Sequence, residues 1–389
     1  MKRVVIISIL CFVLVACAPP TATPTQSAVP SAVVVPTQET SPTPSSTPTP
    51  TATHPPTLVP SATASPTLIS SPTTTPTITP IPTIELLFTG AIVPGRCVQA
   101  YVDEVGNADY IYENVAPLFQ QADLTVGTLN ASLTDYPPTT GCVNTFVLVG
   151  RSLHADAMAR AGIRMMSVAT NHIKNCGLSN CGDRAFLDTL GNLQRVGIEY
   201  VGAGMNLAEG MKPIVLEIKG VKFAFISLGE IERLAFASET TPGIAYLTDE
   251  TLQDAIAAAK QVGDVVVVMP HWGPEYSPIP NPFQRRYAQI AVDAGADLVI
   301  GNHTHVIQGY HMIGEIPVYY GLGNFVFDQT WSEETAQGLM VRITFSGTKI
   351  TGQQVIPVTI EKNGRVNLAD IPTAQRILDR IQKVNDGLK

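Results

Sequence analysis

Three apolar runs in this chain each end in histidine. Asp297-Leu298-Val299-Ile300 stops at Gly301 and delivers Asn302, His303, Thr304 and His305. Val265 to Met269 leads through Pro270 into His271, Trp272 and Gly273, and Met165 to Thr170 leads into Asn171 and His172. A loop at the end of a buried strand is where ligands bind, and neutral imidazole is a common ligand for zinc, nickel and iron. One such histidine is more often a satisfied core or rim residue. Three strand ends carrying histidine favour a functional cleft.

Strands and helices must alternate to bring these loops together. Ile84 to Thr89 reads as a strand, Tyr112 to Gln121 as a helix, and Asp123 to Leu129 as a second strand. His154 to Ala161 reads as a helix leading into the strand at Met165, and Arg184 to Val196 spaces Phe186, Leu187, Leu190 and Leu193 as an amphipathic helix does. Glu199 to Val201, Ile214 to Ile218 and Lys222 to Leu228 read as strands, the last two joined as a hairpin by Lys219 and Gly220. Helices are expected over Thr251 to Val262 and Phe283 to Ala294, and strands over Asp264 to Met269 and Asp297 to Ile300. From Pro317 the pattern turns mostly β, with strands at Val318 to Tyr320, Asn324 to Phe327, Leu339 to Phe345 and Ile350 to Val358 before a closing helix, Thr373 to Val384. The expected class is α/β, a layered α/β sandwich of mixed sheets with its functional loops at one edge.

The ends of the chain speak to its location. Lys2 and Arg3 precede an apolar run, Val4 to Val15, too short to span a bilayer comfortably and of signal-peptide length. Leu14-Val15-Ala16-Cys17 resembles a bacterial lipobox, so residues 1–17 are expected to be a lipoprotein signal whose cysteine is lipidated and anchors the chain to the membrane. Residues 18–83 are almost all Pro, Thr, Ser, Ala and Val, with Glu39 and His54 as the only titratable side chains. Such a segment forms no core. Proline keeps it extended, a semi-rigid tether of up to ~200 Å at ~3.1 Å per residue. Residues 84–389 are long enough for one large domain held outside the cytoplasm.

The net charge of −8 becomes −10 when Lys2 and Arg3 leave, which excludes broad electrostatic binding of nucleic acid. Cys97, Cys142, Cys176 and Cys181 remain in the exported domain. An even number in an oxidising compartment favours disulfides over a four-cysteine zinc site, whose paired knuckles are missing. The short loop between Cys176 and Cys181 favours that pairing and leaves Cys97 for Cys142.

Thr170-Asn171-His172, His271-Trp272-Gly273 with Glu275, Gly301-Asn302-His303-Thr304-His305, and Tyr320-Gly321-Leu322-Gly323-Asn324-Phe325 resemble the capsule-synthesis protein CapA family, linked to poly-γ-glutamate synthesis and export. The resemblance runs from about Glu85 to about Gln329. It implies a relative of the calcineurin-like metallophosphoesterases, whose layered fold carries two metals at strand ends. By that analogy His305, with the position of Ala91, would serve a first metal. Asn171, His271 and His303 would serve a second, with Asn130 as a weak fourth group, and His172 would be the catalytic acid over a leaving group.

The chain departs from the family at three acids. Ala91 stands after Gly90 where the family has aspartate, Asn130 stands where it has glutamate, and Asn175 stands three residues after His172 where it has an acid. Two divalent cations a few ångströms apart need a bridging anion, which neutral side chains cannot supply. The expectation is therefore at most one divalent ion, zinc or manganese, with the two-metal centre lost. Glu230 and Glu232, after the strand ending at Leu228, are candidates for a replacement acid. Imidazole must be neutral to ligate, so protonation below about pH 6.5 is expected to release the ion.

Two functions follow. In the first, a surface lipoprotein of the CapA type assists synthesis, assembly or export of an anionic capsule polymer such as poly-γ-glutamate, partnering the polymer or its synthesis machinery. In the alternative, the chain is an active metal-dependent hydrolase of a phosphoester or envelope polymer.

Overall fold

A computed structural model describes residues 81–136, 140–176 and 181–388. The expected signal peptide, the lipidated Cys17 and the tether up to residue 80 lie outside the described residues. Among those described, no helix is long and apolar enough to cross a membrane.

Two mixed sheets form the frame, as the alternating pattern requires. The first runs in space Val366–Leu368, Lys349–Ile360, Gln337–Ser346, Thr83–Ile92, Leu124–Leu129, Ile163–Ser167 and Glu199–Val201, with Asn324–Val326 pairing beside the end of Thr83–Ile92. The second runs Tyr310–Ile313, Ile316–Tyr319, Leu298–Ile300, Val265–His271, Val221–Gly229 and Ile214–Ile218. In the first sheet the strands from Thr83–Ile92 to the edge at Glu199–Val201 are parallel and those on the other side antiparallel, whereas the second sheet has a parallel centre and antiparallel flanks. Ile214–Ile218 and Val221–Gly229 make the expected hairpin.

Alternation along each strand explains the layers. In Thr83–Ile92, Leu86 and Phe88 pack between the sheets against Phe223, Phe225 and Met269, while Leu87 and Ile92 pack on the opposite face with Val98, Val102 and Phe186. In Val265–His271, Val265 and Val267 face the other sheet, and Val266 and Val268 face Leu252, Ile256 and Ala288 of helices Asp249–Val262 and Pro282–Ala294. Both faces of each central strand are covered, so their sequences read as continuous apolar runs. Each fully buried large side chain contributes roughly 1.5–3 kcal/mol by leaving water.

Several short elements, among them strands Tyr310–Ile313 and Val366–Leu368, are not expected from the sequence, and three further differences have a local physical reason. The helix expected from Tyr112 is a 3-10 turn, Asp109–Ile111, followed by helix Ala116–Gln121, because Pro117 has no N–H and fits only a first turn. Helix Arg96–Val105 has no start signal in sequence, since Gly95 caps it without a side chain. Val265–His271 continues through Pro270, whose carbonyl still accepts from Asn302 N–H at 3.0 Å.

Candidate functional site

The parallel strands of both sheets end on the same side, and their C-terminal residues make the site, as in other open α/β sheets. Asn302 Nδ2 donates to Thr128 Oγ1 at 2.8 Å, tying the edge of one sheet to the other. Gly301 is required here: a Cβ would lie 2.3 Å from Tyr320 O. The same carbonyl accepts from Trp272 Nε1 at 2.8 Å, so Trp272 packs rather than faces a ligand. Among described non-glycine residues, left-handed backbone occurs at His303 and His305, at Tyr276 stacked on His305, at Arg96 and Glu232, and otherwise only at Lys219. Each costs about 1–3 kcal/mol and marks a site where position matters more than comfort.

Asn171, His271 and His303 converge. His271 Nε2 lies 2.9 Å from Asn171 Oδ1 and 3.1 Å from His303 Nδ1. All three are buried. Burial, aided by repulsion from neighbouring imidazoles, holds His271 well below the usual histidine range and pushes His303 down to about 3. Both rings therefore remain neutral far into acid, which corrects the expected release of an ion below about pH 6.5.

His305 stands beside this trio, its ring 6.0 Å from that of His303. Its Nδ1 lies 2.8 Å from Asn324 Oδ1, and Asn324 Nδ2 donates to Thr335 O at 2.9 Å. The Thr335 carbonyl can only accept, so the Asn324 amide is oriented and His305 Nδ1 carries the proton. Nε2 is left as a lone pair, 3.9 Å from Glu275 Oε1. Burial pushes His305 down to about 4. Tyr276 stacks on its ring at 6.0 Å.

Two charged residues that the sequence analysis passed over lie behind His305. Arg96 and Asp328 form a buried ion pair, with Arg96 Nε donating to Oδ2 at 3.1 Å and Cys97 N–H to the same oxygen at 3.1 Å. Arg96 also sits over the Phe327 ring, which packs against His305. Arg96 follows the departed acid position by five residues and Asp328 follows Asn324 by four. Both flank recognised motifs, the one signal that would have drawn attention to them.

His172 and Asn171 line a cleft of about 560 Å³ with Phe146, Lys174, Asn175, Glu232 and Leu234. His172 Nδ1 lies 3.0 Å from Asn175 Oδ1, the partner expected from spacing. Asn130 is buried beside them, its Oδ1 accepting from His172 N–H at 3.3 Å and its Nδ2 without a partner. Of the two candidate replacement acids, Glu230 accepts from Gly273 N–H at 2.6 Å and braces that turn, while Glu232 lines the cleft. Burial raises Glu230 above the usual carboxylate range despite that bond. Among the described residues, Glu275 is the carboxylate that comes within 4.0 Å of a site histidine's nitrogen, at 3.9 Å from His305 Nε2.

The donor set fits one ion. Ligand atoms at ~2.1 Å from a metal stand ~3.0–3.4 Å apart in octahedral or tetrahedral arrangement. The 2.9 and 3.1 Å separations approach that edge length. The set has no anionic member, and among the described residues no cluster of three or more His, Cys, Asp or Glu side chains has metal-site geometry. His271 Nδ1, buried and without an acceptor, lacks the outer partner that usually strengthens a ligating ring.

Both expected disulfides are present, Cys97 with Cys142 and Cys176 with Cys181. Cys176 lines the cleft, and Cys97 adjoins Arg96, whose Nη1 donates to Thr145 O at 3.0 Å in the loop that carries Phe146. The crosslinks thus fasten the segments that border the site.

Fold and site together define a class: a two-sheet α/β sandwich with an asparagine–histidine cleft at its strand ends. Residues 85–329 match the bacterial capsule synthesis protein PGA_cap family, and the chain belongs to that family. It is 29% identical over 310 residues to the PGA biosynthesis protein CapA of Bacillus subtilis strain 168, covering 77% of this chain and 80% of that one. It is 27% identical over 315 residues to the capsule biosynthesis protein CapA of Bacillus anthracis, covering 77% and 73%. Among solved structures it is similar to a putative 5′-nucleotidase from Staphylococcus aureus, with TM-score 0.43, 15% identity, and 78% and 58% of the two chains covered.

Proposed function

We propose that this chain is an extracytoplasmic protein, anchored through lipidated Cys17, that assists synthesis, assembly or export of an anionic capsule polymer such as poly-γ-glutamate. Its cleft binds the polymer rather than hydrolysing phosphoesters. Family membership and relatives with capsule names support the first part. The observation that carries the second is the convergence of Asn171, His271 and His303 with no carboxylate among them.

Asn171, His271 and His303 would hold one divalent ion, with His305 nearby. A bound ion would supply positive charge that draws polymer carboxylates into the cleft. The protein needs that help, because its own cations there are engaged: Lys174 with Asp183 at 2.7 Å and Arg96 with Asp328. Glu232 and Glu275 add negative charge. Bare, the cleft repels a polyanion.

A metal-dependent hydrolase is the second reading, favoured by one observation: Glu275 Oε1 lies 3.9 Å from the free nitrogen of His305. A small shift would bring a carboxylate to the position the family's first metal would occupy. Elemental analysis with hydrolysis assays on phosphodiester and poly-γ-glutamyl substrates separates the two. One weakly held ion and negligible turnover support polymer binding; two ions with rapid turnover support the hydrolase.

A further inference from the structure

Asn175 stands where the family has an acid, and its surroundings fix which way its amide faces. Leu148 N–H, which can only donate, lies 2.7 Å from Asn175 Oδ1, so that atom is the carbonyl oxygen. The same oxygen lies 3.0 Å from His172 Nδ1. An oxygen that only accepts requires the proton on Nδ1, so the neutral ring keeps a bare lone pair on Nε2. A carboxylate in that place would also support a doubly protonated ring. The amide carries no charge to do so.

The other side of the ring faces the cleft. His172 lines it, and Nε2 is neither a buried unpaired atom nor hydrogen-bonded to any described residue. The neighbouring wall is rich in acceptors. Glu232 lines the same cleft, while Lys174 Nζ donates to Asp183 Oδ1 at 2.7 Å and to Pro242 O at 2.8 Å. A ligand group placed against His172 therefore meets acceptors and finds the nearest cation already engaged.

We propose that His172 meets the bound polymer as a fixed hydrogen-bond acceptor, with Asn175 as its positioning residue. The group seated against it carries an N–H or O–H, as an amide link does and a fully ionised phosphate does not. This rests on the reading of the cleft as the polymer site. It reverses the part that the family resemblance assigns to this histidine, which is to give a proton to a leaving group. The asparagine is what reverses it.

The tautomer is read directly from the full chain carrying ring-15N histidine. The Nδ1-protonated neutral form is expected for His172 in the wild type, whereas Asn175→Asp keeps Nδ1 protonated and lets the ring take up a second proton on Nε2 more readily. A mixture of tautomers is expected in Asn175→Leu. An Nε2-protonated His172 in the wild type, or a tautomer unmoved in Asn175→Leu, overturns the proposal. The ligand is tested by calorimetry with manganese, a synthetic γ-linked glutamate oligomer and its backbone N-methylated counterpart. N-methylation should weaken binding roughly threefold to tenfold in the wild type, the worth of one net hydrogen bond, and leave His172→Phe unaffected. An equal effect in both proteins overturns the assignment of the ligand group. A wild type that binds neither oligomer overturns that assignment together with the polymer-site reading, while the nitrogen spectrum still decides the role of Asn175.

Discussion

His271 Nε2 lies 2.9 Å from Asn171 Oδ1, although 100 residues separate them and their strands belong to different sheets. The contact joins the end of Val265–His271 to the turn after Ile163–Ser167, and His303 Nδ1, 3.1 Å from the same nitrogen, brings the third side chain to it. Replacing His303 with alanine should remove one of two imidazoles and lower zinc or manganese affinity at least tenfold to a hundredfold. Calorimetric titration of the wild type and His303→Ala checks this; equal affinities would show that the ion, if bound, lies elsewhere.

The Arg96–Asp328 pair should behave as a buried ion pair whose halves cannot be removed singly. Asp328→Asn leaves the guanidinium uncompensated and should cost about 3–5 kcal/mol, whereas Arg96→Met with Asp328→Leu should cost much less. Denaturant unfolding of the three proteins measures the difference. Comparable losses in the single and double variants would place both side chains in a wetter setting than their burial indicates.

The buried imidazoles set a pH dependence of stability in the metal-free chain. Folded His303 and His305 take up protons only near 3 and 4, whereas an unfolded imidazole does so near 6.5. Between those values the unfolded state binds more protons, so stability falls as pH drops from about 6.5 towards 4 and is fully present above 6.5. Melting temperatures across pH 7 to 4 should decline, and less steeply in His303→Ala. An unchanged slope in that variant would remove His303 as a source of the effect.

The two disulfides should contribute unequally. Cys97–Cys142 closes 45 residues and Cys176–Cys181 closes 5, so in the chain-entropy account the first is worth ~4 kcal/mol and the second ~2 kcal/mol. Paired serine replacements, compared by denaturant midpoint, test the order. A larger loss from the short loop would mean that its role is to shape the cleft wall rather than to restrict the unfolded chain.

Much of this arrangement was legible because it is local. His271 and His303 follow apolar runs, and a run that ends in glycine or in a histidine-bearing turn marks the strand end that positions it. The cysteine pairing followed from one short loop. What escaped depends on distant contacts: Arg96 meets Asp328 across 232 residues, and nothing near either residue announces the partner. Helix Arg96–Val105 escaped for a related reason, since its first residue sits at φ +52, a conformation set by surrounding packing and not by helix propensity. Glu275 was visible in its motif, but its closeness to His305 required the fold.

The cleft is proposed to hold at most one ion and to perform no rapid phosphoester hydrolysis. The most direct measurement is the metal content of the purified chain, equilibrated with zinc or manganese and analysed alongside turnover of a phosphodiester substrate. At most one ion per chain with negligible turnover is expected, and tighter metal binding when Ala91→Asp and Asn130→Glu restore the missing carboxylates. Two ions per chain with brisk hydrolysis in the unaltered protein would contradict it.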